Sequence, residues 1–554
     1  MKIHFLIACL VISAIVVVTA QTPSLSKNKY GATQLVVKQK PYLLLAGEVY
    51  NSSASNISYM QQLMPKIKEA NINTLLVPVS WEMIEKKEGE FDFSSVNELL
   101  SLARKHQIKL GILWFGTWKN GISPYAPLWV LKDVNRFKRV KSVSNENTMT
   151  LSPFCEATLL ADTKAYVALL NHIKKIDAQE NTVIAIQVEN EVGVFAQTKD
   201  YCKESIEAFQ NQVPTTLINY LQKNINSLEI ELKNAWEKNG FKTNGKWTEV
   251  FGENDMTDLF FMAWHYASYI QQIAAAGKKV YALSTFVNCW MPATPTPNPR
   301  PNYTTPGKYP SGGSVIMVAD IWKAAAPAID ILTPDIYGSD FDLQASFFHK
   351  PNNPLFIPET NAIPGRAVYS FTQHNAICFS PFGIDDKTDL VKEEYGLLQQ
   401  LASVILENQG SKNMLGFYKK DTTSSIDIPF NQNTTIRVYF KRPFSRVNEV
   451  IDSAASAYGV FIKLNEEAFL IAGKNIWVSA FSNNAASETW IKQAEEGTFK
   501  HGKWITNGIH NGDEAGFLWS KKTPVYRIKS DPTIVPFSNT PSAIFKFQVV
   551  SYSK

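Results

Sequence analysis

Cysteine and histidine are scarce, five and eight in 554 residues. The cysteines, at 9, 155, 202, 289 and 378, show no paired spacing of a zinc site or a dense disulfide scaffold. They read as mostly buried thiols with one candidate bridge, Cys155 to Cys202. The histidines are equally scattered, which argues against a catalytic metal, and no cofactor is expected. Excess charge is small too: a formal +5 excludes the basic footprint of a nucleic-acid partner. After the first twenty residues no apolar run approaches the ~20 residues of a bilayer span, so no membrane span is expected. What is abundant is core-forming material, 45% hydrophobic and 12% aromatic, which excludes disorder, collagen and coiled coil. The length exceeds the roughly 250 to 300 residues at which one core stops growing, so two domains are expected.

The first twenty residues run from Lys2 through an apolar stretch, Phe5 to Val18, to Val18-Thr19-Ala20 before Gln21. That is the layout of a cleavable secretory signal, and it predicts an exported protein, periplasmic or extracellular. From Tyr42 to about Phe379, short β-branched apolar runs alternate with stretches of helical period. Eight strands are predicted: Tyr42 to Gly47, Thr74 to Val79, Lys109 to Phe115, Val183 to Glu189, Lys279 to Val287, Ile331 to Tyr337, Leu355 to Glu359 and Ala376 to Phe379. Met60, Leu63, Met64 and Ile67, and then Val96, Leu99, Leu100 and Ala103, mark two outer helices. The pattern spells an α/β fold, a (β/α)8 TIM barrel. Phe195 to about Asn254 should hold two or more helices, and the proline-rich Pro292 to Pro310 should form part of the rim. A last helix, Leu390 to about Glu407, precedes a change of texture. Ile436 to Phe440, Gly459 to Leu464, Ala468 to Ala472 and Ile476 to Phe481 are short alternating runs, which predict a smaller all-β sandwich. The expected division is a signal at 1–20, a barrel at 21–410 and a β-sandwich domain at 411–554.

Two places carry chemistry. Gln187-Val188-Glu189-Asn190-Glu191 ends the fourth predicted strand in polar groups, and alternation sets Gln187, Glu189 and Glu191 on one side. Pro358-Glu359-Thr360 ends the seventh. Acids that end different strands converge over the mouth of a barrel, the arrangement glycoside hydrolysis needs: one carboxyl gives a proton and the other attacks or steers water. Trp81, Trp114, Trp118, Trp129 and Trp290 lie at or just after strand ends, where indole faces suit the apolar face of a sugar. Asp335 and Tyr337 close the sixth strand as further site candidates. The sequons at Asn51, Asn56, Asn302 and Asn433 read as ordinary surface sequence.

Gln187-Val188-Glu189-Asn190-Glu191-Val192-Gly193 resembles the Q-V-E-N-E-Y-G motif of glycoside hydrolase family 35 β-galactosidases. Ala46-Gly47-Glu48-Val49 resembles that family's first strand, and Val79-Ser80-Trp81 through Glu85, Gly89, Phe91 and Phe93 resembles its following run. Thr333-Pro334-Asp335-Ile336-Tyr337 and Ser380-Pro381-Phe382 look like a bacterial branch with an extra C-terminal β domain. The resemblance implies Glu191 as acid/base, Glu359 as nucleophile and Asn190 as a ligand of the 2-hydroxyl. Alternation turns Asn190 away from Glu191, so the strand end must twist or bulge. Where many members end the third strand A-E-W, with a Glu on galactose, this chain has Gly116-Thr117-Trp118. Glu48, Glu82, Lys119 and Asn120 are candidates for the missing polar contacts, with Trp81 and Trp118 as stacking faces. The expected protein is an exported retaining exo-β-glycosidase of β-galactosidase type with a carbohydrate substrate. Two alternatives stay open at this point: the same barrel acting on a glucoside, xyloside or uronide, and a non-catalytic carbohydrate-binding protein.

Overall fold

A computed structural model describes residues 21–292, 306–420, 423–440, 456–500, 502–510, 525–528 and 542–554. The expected signal, most of the proline-rich segment and Asn302 lie outside the described residues. Eight parallel strands close into a barrel: β1 (Leu44–Glu48), β2 (Thr74–Ser80), β3 (Lys109–Phe115), β4 (Val183–Val188), β5 (Ser284–Trp290), β6 (Ile331–Ile336), β7 (Phe356–Thr360) and β8 (Cys378–Pro381). The ring closes where Cys378 and Phe379 pair with Leu44 and Leu45. Each strand is followed by a helix: α1 (Ile57–Glu69), α2 (Ser94–His106), α3 (Glu156–Asp177), α4 (Asp255–Val280), α5 (Ala319–Ala325), α6 (Phe341–Phe348), α7 (Arg366–Gln373) and α8 (Thr388–Asn408). The residues read from helical spacing in α1 and α2 are all buried, and α2 buries Leu102 as well. Four short helices between Lys203 and Phe251 fill the long connection after β4.

One strand is displaced from its expected place. Lys278 and Lys279 belong to the last turn of α4, where cations meet the negative end of the helix dipole, and β5 begins only at Ser284. The shift adds Asn288 to the strand. At the other end of the barrel, Ser24–Lys27, Thr33–Val37 and Lys40–Tyr42 form a small antiparallel sheet. It presses Leu35 and Val37 against Leu44, Ala46, Leu76 and Leu113, covering the amino-terminal end of the strands. The carboxyl ends are left as the accessible mouth.

Beyond α8 the chain forms two antiparallel sheets. The larger contains β9 (Met414–Tyr418), β12 (Tyr458–Lys463), β13 (Ala468–Lys474), β18 (Ala543–Ser553), β15 (Ser487–Lys500) and β16 (Lys503–His510); the smaller contains β10 (Ser425–Asn431), β11 (Thr434–Tyr439), β14 (Ile476–Ser482) and β17 (Val525–Ile528). Phe430, Ile436, Val478, Phe469 and Phe547 fill the space between them, a β-sandwich core. The outer face of the larger sheet contributes Tyr458, Val460, Leu470 and Ile544 to the same apolar cluster as the barrel helices. That contact reaches the segments that follow the site strands. Gly365, at φ 89°, begins α7 with Tyr418 and Tyr458 so close that a Cβ there would meet their own Cβ atoms at 2.8 and 2.9 Å. Glu394 of α8 accepts the amides of Gly365 and Val368. Tyr418 and Lys420 both reach Asp342 of α6.

The candidate bridge is corrected. Cys155 and Cys202 are both free and buried. The Cys155 thiol lies 3.4 Å from the Arg136 carbonyl, and the Cys202 sulfur caps a helix by accepting the Ser205 amide. No helix among the described residues is long and apolar enough to cross a membrane.

Candidate active site

Regular alternation stops at Val188. Glu189 and Glu191 both take left-handed backbone angles, φ 63° and 42°, unusual and costly for residues with a Cβ. The two acids therefore part company rather than sharing a side as expected. Glu189 turns into the barrel wall, where its oxygens accept the amides of Thr117 at 3.1 Å and Trp118 at 2.7 Å. There it pairs with Asp162 of α3, which accepts the Trp114 indole at 2.9 Å and the Thr117 hydroxyl at 2.6 Å. Gly116 makes the approach possible, since a Cβ there would lie 2.5 Å from Glu189 Oε1. Thr117 accordingly faces this wall and not the mouth.

Glu191 turns the other way, and its backbone is fixed at both ends. Its amide donates to Asn288 Oδ1 at 3.0 Å, and its carbonyl accepts the Gly121 amide at 2.9 Å. The side chain enters a cavity of about 380 Å³ at the strand ends, shared with Asp335, Tyr337 and Glu359. One carboxylate oxygen from each of Glu191, Asp335 and Glu359 lies within 4.8 Å of the others. Asn288 ties the group together, its Nδ2 lying 2.8 Å from Asp335 Oδ2 and 3.3 Å from Glu359 Oε1. Tyr337 stands at the rim with its hydroxyl donating to Glu359 Oε2 at 2.9 Å. Lys119 Nζ supplies a positive charge 3.9 Å from Glu359 Oε1 and rests over the Phe115 ring.

The electrostatics follow from crowding acids out of water. Burial, then the charge of Glu359, pushes Glu191 up to about 7, against the pull of Lys119 and a hydrogen bond with Asp335. Glu48 and Asp335 are each raised well above the usual carboxylate range, first by burial and then by Glu359. For Lys119 burial acts downward, but Glu359, Glu48, Glu191 and Asp335 together outweigh it and hold the ammonium above its ordinary value.

The expected site residues fall into three groups. Glu191, Glu359, Asp335 and Tyr337 come together around the cavity, with Lys119 and Asn120. Asn190 and Glu48 are enclosed at 1% exposure each; both amide atoms of Asn190 and Glu48 Oε1 have no protein partner. The tryptophans are mostly a correction. Trp81 is fully buried with its indole on Glu85, Trp118 is buried with its indole on the Leu151 carbonyl and packs on Tyr266 and Tyr269, and Trp114 is tied to Asp162. Each indole N–H finds an acceptor in the wall, so these rings serve the core. Trp290, 41% exposed and set edge-on to Phe195, does line the cavity. Glu82 is exposed and does not line it. Asn51, expected as surface sequence, lines the cavity, and Asn56 caps α1 through the Tyr59 amide. Asn288 went unforeseen; the signal was a lone amide in Phe286-Val287-Asn288-Cys289-Trp290.

The family described as "Beta-galactosidase", glycoside hydrolase family 42, matches residues 49–256. That is well under half of the chain, and the span contains Glu191 but not Glu359. It is also a different family from the one the motifs resemble. A family described as a domain of unknown function, DUF5597, matches residues 391–519. A β-galactosidase of Xanthomonas manihotis is 28% identical over 180 residues, 31% of this chain and 27% of that protein. The match thus spans little more than a quarter of that relative. The solved β-galactosidase of Bacillus circulans sp. alkalophilus superposes with a TM-score of 0.44 at 16% identity, covering 66% of this chain and 57% of that one. That of the psychrophilic Marinomonas ef1 gives a TM-score of 0.43 at 12% identity, over 65% of this chain and 60% of that one.

Proposed function

We propose that the chain is an exported, exo-acting retaining β-glycosidase that removes terminal β-galactosyl units from oligo- or polysaccharides. The observation that carries this reading is the meeting of Glu191 and Glu359, from the ends of two strands, across a cavity that admits a ligand. Their facing oxygens lie within 4.8 Å. An approach of single oxygens this close favours the short carboxyl separation of double displacement, about 5 to 5.5 Å, over the roughly 6.5 to 9.5 Å with which inversion seats a water between the acids. In this scheme Glu359 attacks the anomeric carbon while Glu191 gives its proton to the leaving oxygen. The glycosyl ester then yields to a water deprotonated by Glu191. Tyr337 and Asn288 hold the two oxygens of Glu359, and the raised Glu191 keeps its proton where an ordinary glutamate has lost it.

The galactoside preference is supported by the β-galactosidase match across the first half of the barrel and by the motifs around Glu191. Both families are ones of β-galactosidases; family 42 is preferred to family 35 because its match runs across strands and helices rather than over short motifs. A cavity near the small end of the ~300 to 1,000 Å³ usual for small ligands supports exo action. The unpartnered amide of Asn190 supports a sugar-hydroxyl contact. Export rests on the layout of residues 1–20, and the chemistry calls for no cofactor.

Initial rates on aryl β-galactoside, β-glucoside, β-xyloside, β-glucuronide and α-galactoside test the reading directly. A dominant β-galactoside rate with the β-anomer released first is expected. A dominant rate on another β-sugar would overturn the substrate, an α-anomer would overturn retention, and silence on every substrate would overturn the activity.

A further inference from the structure

Asp335 is paired in register with Glu359 across β6 and β7, so its carboxyl is carried to the same end of the barrel. It is 2% exposed. Its Oδ2 accepts the Asn288 amide at 2.8 Å, whereas Oδ1 has no protein donor. One carboxyl oxygen of Asp335 lies within 4.8 Å of one from Glu191, and the two side chains influence each other's protonation. Neither group brings an N–H, so a hydrogen bond between two carboxyls exists only if one of them carries a proton. The Asn288 side chain fixes this geometry, since it also accepts the Glu191 amide and approaches Glu359.

The charges that face the pair are mostly negative. Glu359 from β7 and Glu48 from β1 add negative charge, and the Cys289 thiol of β5 and the Tyr337 phenol just past β6 stand beside the group. Lys119, with its ammonium 3.9 Å from Glu359 Oε1, is the cation that opposes them. One ammonium against four buried carboxyls leaves a surplus that retained protons relieve at least cost.

We propose that Asp335 and Glu191 hold one proton between them, and that Asp335 acts through Glu191 as a positioning residue that keeps a transferable proton on the cavity side. This rests on the proposed role of Glu191 as proton donor. Before attack, Glu359 carries one negative charge and the pair carries one. When Glu359 bonds to the anomeric carbon it becomes a neutral ester, and Glu191 passes the shared proton to the departing oxygen, leaving two negative charges on the pair. The three acids hold the same total charge on both sides of the step, so Lys119 need not move. Hydrolysis returns a proton from water to the pair and frees Glu359. Because the two acids titrate together, the apparent pKa belongs to the pair.

The test is the pH dependence of kcat/KM for wild type and Asp335→Asn. The amide keeps an acceptor for Asn288, offers Glu191 an N–H and removes a negative neighbour; the last two changes both favour ionised Glu191. The alkaline limb should move to lower pH by about one unit or more, with the rate on its acid side within about tenfold of wild type. A loss of rate at every pH with an unmoved limb is what a merely structural role gives, and it would overturn the proposal. Infrared titration of protonated carboxyls gives a readout that needs no turnover. A component that titrates in wild type and is missing from both Asp335→Asn and Glu191→Gln is expected, whereas one that survives in either variant would overturn the sharing. If Glu191→Gln hydrolyses substrates with poor leaving groups at the wild-type rate, the proposed donor role fails, and the infrared result still decides whether the proton is shared.

Discussion

Two pairs of buried acids are built on glutamates two residues apart, Glu189 and Glu191, and they have opposite surroundings. Glu189 and Asp162 sit in the wall, where the amides of Thr117 and Trp118, the Trp114 indole and the Thr117 hydroxyl occupy their oxygens. Glu191 and Asp335 sit at the cavity, where Asp335 Oδ1 has no donor and the shared space is open to a ligand. Burial raises the proton affinity of both pairs. The difference is access. A buried acid whose oxygens are occupied by protein donors is a fastener, and one with an unanswered oxygen facing a cavity can do chemistry.

Substitutions can break this contrast. The largest effect should come from Glu359→Ala, with turnover falling by about 10⁴-fold or more while the melting temperature changes little. Glu191→Ala should cost roughly 10² to 10⁴ on substrates with poor leaving groups and far less on activated aryl glycosides, as leaving-group series would show. In the wall the readout changes from rate to stability. Glu189→Ala strands the Thr117 and Trp118 amides, at about 1 to 3 kcal/mol for each, measurable by denaturant unfolding. Folding also raises the proton affinity of Glu189, so the folded chain keeps a proton that the unfolded chain releases near 4.5. Stability therefore falls as pH climbs from that value toward the raised pKa, and Glu189→Gln should flatten the slope without moving the pH profile of activity. Tyr337→Phe should have the smallest effect, about a tenfold loss in kcat/KM from one charge-assisted hydrogen bond, with unchanged stability.

The barrel was readable because β-branched runs and helical spacing recur eight times, and the two central acids because carboxyls ending different strands converge over a barrel mouth; the same rule did not set Glu189, which fastens the wall, apart from them. The tryptophans were misplaced for a definite reason. Position near a strand end does not say which way an indole points, and Trp81, Trp114 and Trp118 each found a wall acceptor. Asn288 was hidden by a strand boundary set too early, at Val287, when α4 runs to Val280. The separation of Glu189 from Glu191 was hidden because left-handed angles usually announce themselves by glycine or asparagine, and here both positions are glutamate.

In the proposed double displacement Glu359 forms a covalent bond to the sugar while Glu191 supplies the proton. Incubation with an aryl 2-deoxy-2-fluoro-β-galactoside, followed by mass analysis of the proteolysed chain, tests it most directly. One added fluorosugar per chain is expected, on the peptide carrying Glu359 and absent in Glu359→Ala. A label on another carboxyl, or steady turnover of β-galactosides by Glu359→Ala, would contradict it.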